Sequence, residues 1–288
     1  MMVLFFQQLV NGIMLGAAYS LVALGLTLIY GILHIPNFAH GHKYMWAAFT
    51  SLFLVVNFHT NYWVALVIAM VVLGLVGAGV ERLVYRPLRN VPHINSFIAA
   101  IGLLLALESL SLIFWGADFR RFPTLYDKPI HIFGVAITLQ RLLVIIAAAL
   151  FIILLQLFIK RTWLGATIEA VAQNPEGAQL VGISIDRVSS LTFGIGTALA
   201  AAAASLIAPI FLVYPTMGAM PNLKAFVVII IGGMGSIPGA VIGGFMLGLM
   251  EALGGGYIST DYKDLFAFGT LVTFLTLRPT GLFGKGVR

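Results

Sequence analysis

The chain has 288 residues, of which 60% are hydrophobic and 9% are charged, and its mean hydropathy is +1.04. Soluble domains carry about 25% charged residues, so a soluble globular fold is excluded. The net charge of +6 comes with basic residues placed between apolar segments, and it therefore indicates membrane topology rather than nucleic-acid binding. The absence of cysteine excludes disulfides and thiolate metal sites.

Long apolar segments follow one another along almost the whole chain. The segment between Arg141 and Lys160 has no formal charge and is long enough for a helix that spans a bilayer. The first segment lacks a charged region before it and a cleavage site after it, so we expect a retained helix. The runs are continuous rather than alternating, which favours helices over a β-barrel. We predict an all-α polytopic membrane protein with about eight membrane segments, at residues 5–33, 44–58, 63–80, 97–115, 142–159, 188–213, 225–253 and 265–277.

Basic residues lie in three groups, and the positive-inside rule predicts that all three face the cytoplasm. The groups are Arg82, Arg86 and Arg89; Lys160, Arg161 and Arg187; and Arg278, Lys285 and Arg288. The loop 116–138 carries aspartates beside its basic residues, and we expect it outside. The sequence thus predicts one transmembrane domain over residues 1–288, with an external loop at 116–138, a cytoplasmic segment at 160–187 and a cytoplasmic C-terminus.

Two apolar runs are interrupted in ways that affect topology. A cytoplasmic C-terminus requires an even number of crossings after Arg187, yet three apolar segments follow it. The run Gly232-Gly-Met-Gly-Ser-Ile-Pro-Gly239 cannot continue an α-helix, so we predict a re-entrant helical hairpin from Lys224 to Leu253. A single kinked helix with an external C-terminus is the alternative. A second interruption, from His34 to Lys43, is either a cytoplasmic loop or another re-entrant turn, and the sequence leaves the side of the N-terminus open.

Small residues and a few polar residues mark the candidate pathway. Glycines recur at four-residue spacing, which lets helix backbones approach closely in lipid, and packing is the favoured interpretation. Glu108 lies inside an apolar segment, where a charge is costly, and we slightly favour a structural role for it. The candidate pathway or packing residues are Asn11, Gly12, Asn37, Glu108, Gly232, Gly233, Gly235, Ser236, Pro238 and Gly239.

Other ionisable residues carry weaker signals. The six histidines fall at loops or segment ends, so we expect solvated interfacial histidines and no metal site. Glu81 and Glu251 are interpreted as interfacial. No catalytic cluster and no Gly-x-x-x-x-Gly-Lys-[Ser/Thr] motif is present, so nucleotide must be handled by another polypeptide.

The segment 160–187 is too polar to span a membrane. Helix-forming residues precede and follow Asn174-Pro175, which predicts two short helices joined there. Such a compact knob, with Ala170, Ala172 and Ala178, offers a small-residue surface for docking into a groove on a partner.

Several motifs in order along the chain resemble the LivH-type permeases of bacterial ABC importers for branched-chain amino acids. They include Asn11-Gly12, Ile35-Pro-Asn-Phe-Ala-His-Gly41, Ala172-Gln-Asn-Pro-Glu-Gly177, the glycine-rich run Gly232–Gly239 and Arg278-Pro-Thr-Gly-Leu-Phe-Gly284. His42 departs from the pattern, since the family commonly has an acidic residue there.

The resemblance implies a permease subunit in a bacterial inner membrane that translocates Leu, Ile and Val and binds no cofactor itself. It implies two ATPase subunits that bind ATP and magnesium, a second permease, homologous or identical, and an external solute-binding protein. The ATPase-coupling residues would be Glu169, Ala170, Ala172, Asn174, Pro175, Glu176, Gly177, Ala178 and Gly182.

Two alternatives stay open. The first is a permease of the same class for other amino acids, urea, amides or sugars, because the candidate pathway residues do not identify the transported solute. The second is an ion-coupled carrier, which would need partnered ionisable groups near the membrane midplane. Within the apolar segments the sequence offers essentially Glu108 for that role.

Overall fold

The computed structural model describes residues 2–33, 36–123, 126, 128–132, 135–278 and 280–284. Helices dominate, and one short antiparallel hairpin, β1 (Pro129–Ile132) with β2 (Val135–Thr138), lies in the loop before the fifth helix. The helices are α1 (Met2–Leu33), α2 (His40–Asn57), α3 (Tyr62–Val80), α4 (His93–Trp115), α5 (Leu139–Arg161), α6 (Trp163–Gln173), α7 (Pro175–Leu180), α8 (Ile185–Ile207), α9 (Ala219–Gly232), α10 (Ile237–Tyr257) and α11 (Lys263–Leu277). A π-helical turn, Glu81–Tyr85, extends α3, and a 3₁₀ turn, Thr260–Tyr262, precedes α11.

Six helices in the described residues are long and apolar enough to cross a membrane: α1, α3 with its π-helical turn, α4, α5, α8 and α10. The apolar helix α9 has 14 residues and is shorter than a full span. The structure therefore confirms the all-α polytopic fold, whereas it does not confirm the count of eight segments.

The two ends of the bundle are identified by contacts between distant parts of the chain. At one end, the Gln7 side chain near the start of α1 donates to the Ala136 carbonyl in β2 at 3.1 Å. At the other end, Gly31 near the end of α1 lies beside Ala172 in α6. We call these the β-hairpin end and the α6 end. Helix α1 runs from the first to the second.

The predicted break within residues 224–253 is confirmed. Helix α9 ends at Gly232 and α10 begins at Ile237, after Gly233 and Gly235 adopt positive φ angles of 96° and 82°. The Ser236 hydroxyl accepts from the Gly239 N–H and caps α10. Contact of Gly232 with Gly239 and of Lys224 with Glu251 shows that the two helices are antiparallel.

The tip of this hairpin lies at the α6 end. Helix α10 packs antiparallel to α1, with Gly256 near Gln8 and Gly244 near Ser20, so its first residues lie towards the α6 end. The C-terminal segment 280–284 covers the tip, because the Leu282 and Phe283 N–H groups donate to the carbonyls of Ile231 and Gly232. Pro279 and residues 285–288 lie outside the described residues.

The second interruption is a turn that re-enters the bundle. Helix α1 ends at Leu33, yet the His40 ring at the start of α2 contacts the Val22 carbonyl at 3.2 Å. Val22 lies eleven residues, or about 16 Å, back along α1. The start of α2 is therefore deep inside the bundle. The N-terminus of α1 lies at the β-hairpin end, opposite the C-terminal segment.

Close backbone contacts around α1 confirm the packing interpretation of the glycines. A Cβ added to Gly248 would lie 2.3 Å from the Gly16 nitrogen, and one added to Gly25 would lie 2.2 Å from the Gly196 carbonyl oxygen. The alanines 200–204 of α8 are also fully buried. Helix α1 thus packs so closely against α8 and α10 that no side chain larger than glycine fits at these contacts.

We predict that Gly248→Val destabilises the protein by about 1–3 kcal/mol or more, because the added atoms meet the α1 backbone rather than a flexible side chain. The matched control is Gly102→Val in α4, where an added Cβ meets nothing within 4 Å. Both substitutions place the same β-branched residue in a helix. Thermal unfolding in detergent should show a lower midpoint for the first variant alone, and equal midpoints would contradict the packing interpretation.

Candidate functional site

A cavity of about 850 Å³ lies at the β-hairpin end of the bundle. Its walls come from α1, α9, α10, the segment 207–217 and the first turns of α5 and α11. Exposed Lys263 lies at its mouth, while Val22 and Tyr44 line its depth. Much of the wall is apolar, formed by residues such as Met14, Leu15, Ile207, Ile210, Met217 and Met220. Pockets of about 300–1,000 Å³ with mainly apolar walls are typical of small-molecule sites.

A buried ionic cluster forms one wall of this cavity. The Lys224 ammonium on α9 lies 2.8 Å from Glu251 of α10 and 2.9 Å from Asp264 of α11. It also donates to the Tyr19 hydroxyl of α1 at 3.2 Å, and that hydroxyl donates to Glu251 at 2.8 Å. Lys224 and Glu251 are only 5% and 4% exposed. One ammonium therefore links four helices, through hydrogen bonds to Tyr19 and Glu251 and an ion pair with Asp264.

This cluster corrects two expectations. Glu251 was interpreted as interfacial, and Glu108 was considered the principal buried ionisable group. Lys224 and Glu251 stand on the two arms of the predicted hairpin, and their opposite charges on antiparallel helices were the sequence signal for the pair. Asp264 and Tyr19 lie on other helices, so their contribution could be found only from the tertiary fold.

Arg141 is a second cation in the cavity wall, located in the first turn of α5. Its guanidinium donates to the side-chain oxygen of Asn11 at 2.6 Å, and Asn11 in turn donates to Gln8 at 3.2 Å. Asn11, a predicted candidate, therefore lies in the cavity wall. Its neighbour Gly12 packs against the backbone of Leu249, which is a packing role.

The other predicted pathway residues lie away from the cavity. Asn37 is buried and accepts from the Tyr85 hydroxyl at 3.0 Å. The hairpin-tip residues lie at the α6 end, where Gly232 contacts Gly239 and Gly233 contacts Gly284 of the C-terminal segment. These residues are Gly232, Gly233, Gly235, Ser236, Pro238 and Gly239. Their role in the pathway remains a prediction.

Glu108 pairs with a histidine. Its carboxylate lies 3.0 Å from the His42 ring, where His42 is 1% exposed and Glu108 is 29% exposed. His40 is also fully buried, so the expectation of solvated histidines was wrong for both residues. The re-entrant turn carries them inward, which the sequence pattern did not show. His34 lies outside the described residues.

Glu81 is buried as well, rather than interfacial. Its carboxylate lies 2.8 Å from Arg89 and 3.2 Å from Arg86, and Ser190 of α8 also donates to it. Arg89 lies 2.6 Å from Asp186 at the start of α8. These basic residues therefore hold α3 against α8 at the α6 end, in addition to their topological role.

The segment 160–187 forms the two short helices that were predicted. Asn174 caps α7 by accepting from the Gly177 N–H at 2.9 Å, Pro175 is the first residue of α7, and Gly182 follows with a φ of +85°. Glu169 and Glu176 are exposed.

The exposed apolar surface of this segment differs from the expected one. Ala178 is buried, and Ala170 and Ala172 are partly buried, so these alanines do not form a free docking surface. Leu180 and Val181 at the end of α7 are instead 90% and 76% exposed, and Trp163 and Leu164 at the start of α6 are exposed as well. Large apolar residues within a polar connecting segment were the signal for this surface.

Comparisons with known proteins agree on one family. The family model described as "Branched-chain amino acid transport system / permease component" matches residues 8–275. The permease protein LivH of a high-affinity branched-chain amino acid transport system in Escherichia coli K12 is 36% identical, over 98% of this chain and 96% of that protein. BraD of Pseudomonas aeruginosa, from a system of the same description, shows the same identity and coverage.

One solved structure supports the fold alone. PsaBC from Streptococcus pneumoniae, solved in complex with a Fab, superposes with a TM-score of 0.52 at 11% sequence identity. The match covers 94% of this chain and 91% of that chain.

We predict that Lys224→Met destabilises the protein by about 3–5 kcal/mol, because it leaves the buried Glu251 carboxylate without its cation. The double variant Lys224→Met/Glu251→Met should recover most of that loss, since neither charge then remains buried. Lys263→Met, which removes an exposed lysine of the same cavity, should change stability by less than about 0.5 kcal/mol. Unfolding of the purified protein in detergent tests all three, and additive losses in the double variant would contradict the pairing.

Proposed function

Because this chain belongs to the family of permease components of branched-chain amino acid transport systems, we propose that it is the permease subunit of an ATP-driven importer for Leu, Ile and Val. The observation that carries the proposal is 36% identity over nearly the full length of proteins described as high-affinity branched-chain amino acid permeases. The multi-pass helical bundle agrees with this role.

The cavity supports movement of a small amphiphilic solute. The cavity opens at the β-hairpin end. Its walls combine apolar residues with charged groups, which suits a zwitterion with an aliphatic side chain. Beside it, the starts of α2 and α9 meet, where the Gly41 N–H donates to Asn222 and Asn222 donates to the Phe38 carbonyl. In this state the cavity opens towards one end and ends inside the bundle.

We propose that energy comes from partner subunits. The chain has no phosphate-binding motif of the Walker type, so ATP and magnesium would bind to two ATPase subunits docked at α6 and α7. An external binding protein would deliver the solute at the β-hairpin end, and a second permease, homologous or identical, would complete the membrane part. With basic residues concentrated at the α6 end, that end and the C-terminus would face the cytoplasm of a bacterial cell.

The test of the proposal is reconstitution. A tagged chain is purified in mild detergent, the proteins that accompany it are identified, and uptake of radiolabelled leucine is measured in proteoliposomes with the binding protein. ATP-dependent uptake by an assembly with a second permease and two ATPases supports the proposal. A chain that purifies alone and takes up solute on an ion gradient would establish the carrier instead. The Lys224 cluster is the group of buried charges that such a carrier would use.

We predict that Leu180→Ser lowers recovery of the ATPase subunits at least several-fold, because Leu180 is the most exposed apolar side chain of the α6–α7 segment. The side chain makes no buried contact in this chain, so folding should be unaffected. Ile258→Ser is the matched control, since Ile258 is also an exposed aliphatic residue but lies just after α10, at the β-hairpin end. Quantitative mass spectrometry of the purified complex checks the ratio. Equal recovery from both variants would argue against docking at this surface.

A further inference from the structure

Arg141 differs from the other buried or partly buried cations of the cavity. Lys224 lies between two carboxylates, Glu251 and Asp264, whereas the partly buried Arg141 contacts one neutral side chain, Asn11, within the described residues. A guanidinium has five N–H donors in a planar fork, and the bond to Asn11 uses one of them. Among the described residues Arg141 has no acidic partner, and such a half-buried cation is suited to an anionic group that arrives from outside the protein.

The position of Arg141 along the cavity can be read from its contacts with α1. It binds Asn11, whereas the ionic cluster binds Tyr19, eight residues farther along the same helix. That separation corresponds to about 12 Å along α1. Arg141 therefore lies nearer the β-hairpin end, and the Lys224 cluster lies deeper. Met14, Leu15 and Ala18 of α1 line the cavity between these levels.

We propose that Arg141 binds the carboxylate of the transported amino acid at the mouth of this cavity, while the aliphatic side chain packs against Met14, Leu15, Ile207 and Ile210. This assignment rests on the proposed function and adds a substrate-binding residue to it. Arginine suits the role because its fork donates two parallel hydrogen bonds to one carboxylate. The site accordingly selects aliphatic carboxylates over neutral or cationic solutes of the same size.

The deeper cluster supplies the next polar contact. Glu251 accepts one hydrogen bond at each carboxylate oxygen, from Lys224 and from Tyr19, and a carboxylate has about four acceptor sites. It therefore has capacity for the ammonium group of the substrate without losing its own partners. The substrate would first bind Arg141 through its carboxylate at the mouth and then bind Glu251 through its ammonium deeper in the cavity. These are two successive positions along one wall.

The test uses photo-leucine, a diazirine analogue of leucine that crosslinks on illumination. The complete importer in proteoliposomes is supplied with binding protein loaded with the analogue, illuminated during turnover, and digested for mass spectrometry. We expect crosslinks on peptides that contain Met14, Leu15, Ile207 or Ile210. Crosslinks confined to other parts of the assembly would overturn the inference even if uptake is normal. Absence of uptake by the unaltered importer would overturn the proposed function as well.

Variants of Arg141 test the carboxylate contact. Arg141→Gln should reduce both the crosslinking yield and the uptake rate by at least about tenfold, the effect of losing a charge-assisted hydrogen bond. Arg141→Lys keeps the charge but loses the fork, and it should show an intermediate loss. Arg121→Gln, which removes an exposed arginine from a loop at the same end, is the matched control and should be unchanged. Undiminished crosslinking in Arg141→Gln would overturn the assignment.

Discussion

Direct contact between helix backbones around α1 is the constraint on which the rest of the bundle depends. In lipid, apolar burial does not favour one helix pair over another, so close approach through small residues decides which helices meet. Gly12 and Gly16 meet α10, and Gly25 meets Gly196 of α8. The cavity and the Lys224 cluster each include residues of α1, and the re-entrant turn contacts Val22 of that helix, so all three are placed relative to it.

Charge is distributed unequally between the two halves of the bundle. The half nearer the β-hairpin end holds a cavity with ionic groups in its wall, whereas the half nearer the α6 end holds the ion pairs of Glu81. Beside the cavity, the side chain of Asn222 in α9 satisfies the Gly41 N–H and the Phe38 carbonyl at the start of α2. Irregular backbone at this depth is tolerated because it is enclosed by protein.

The sequence predicted features that depend on local composition. Continuous apolar runs predicted the helices, the glycine-rich break predicted the α9–α10 hairpin, and Asn174-Pro175 predicted the boundary between α6 and α7. Features that depend on which helices meet were missed. His42 was expected to be solvated because its partner Glu108 is 66 residues away in sequence. Arg141 was not predicted as a site residue because its partner Asn11 lies on another helix. Within one sequence, nothing indicates such distant pairings.

The hydrogen bonds from Leu282 and Phe283 to Ile231 and Gly232 have a consequence for biosynthesis. The last carbonyls of α9 lack partners within their own helix, and these bonds satisfy two of them. The donors are synthesised some fifty positions after the helix they complete. Helix α9 therefore stays unfinished until the segment 280–284 has been synthesised, and a chain cut before Leu282 leaves both carbonyls without these donors.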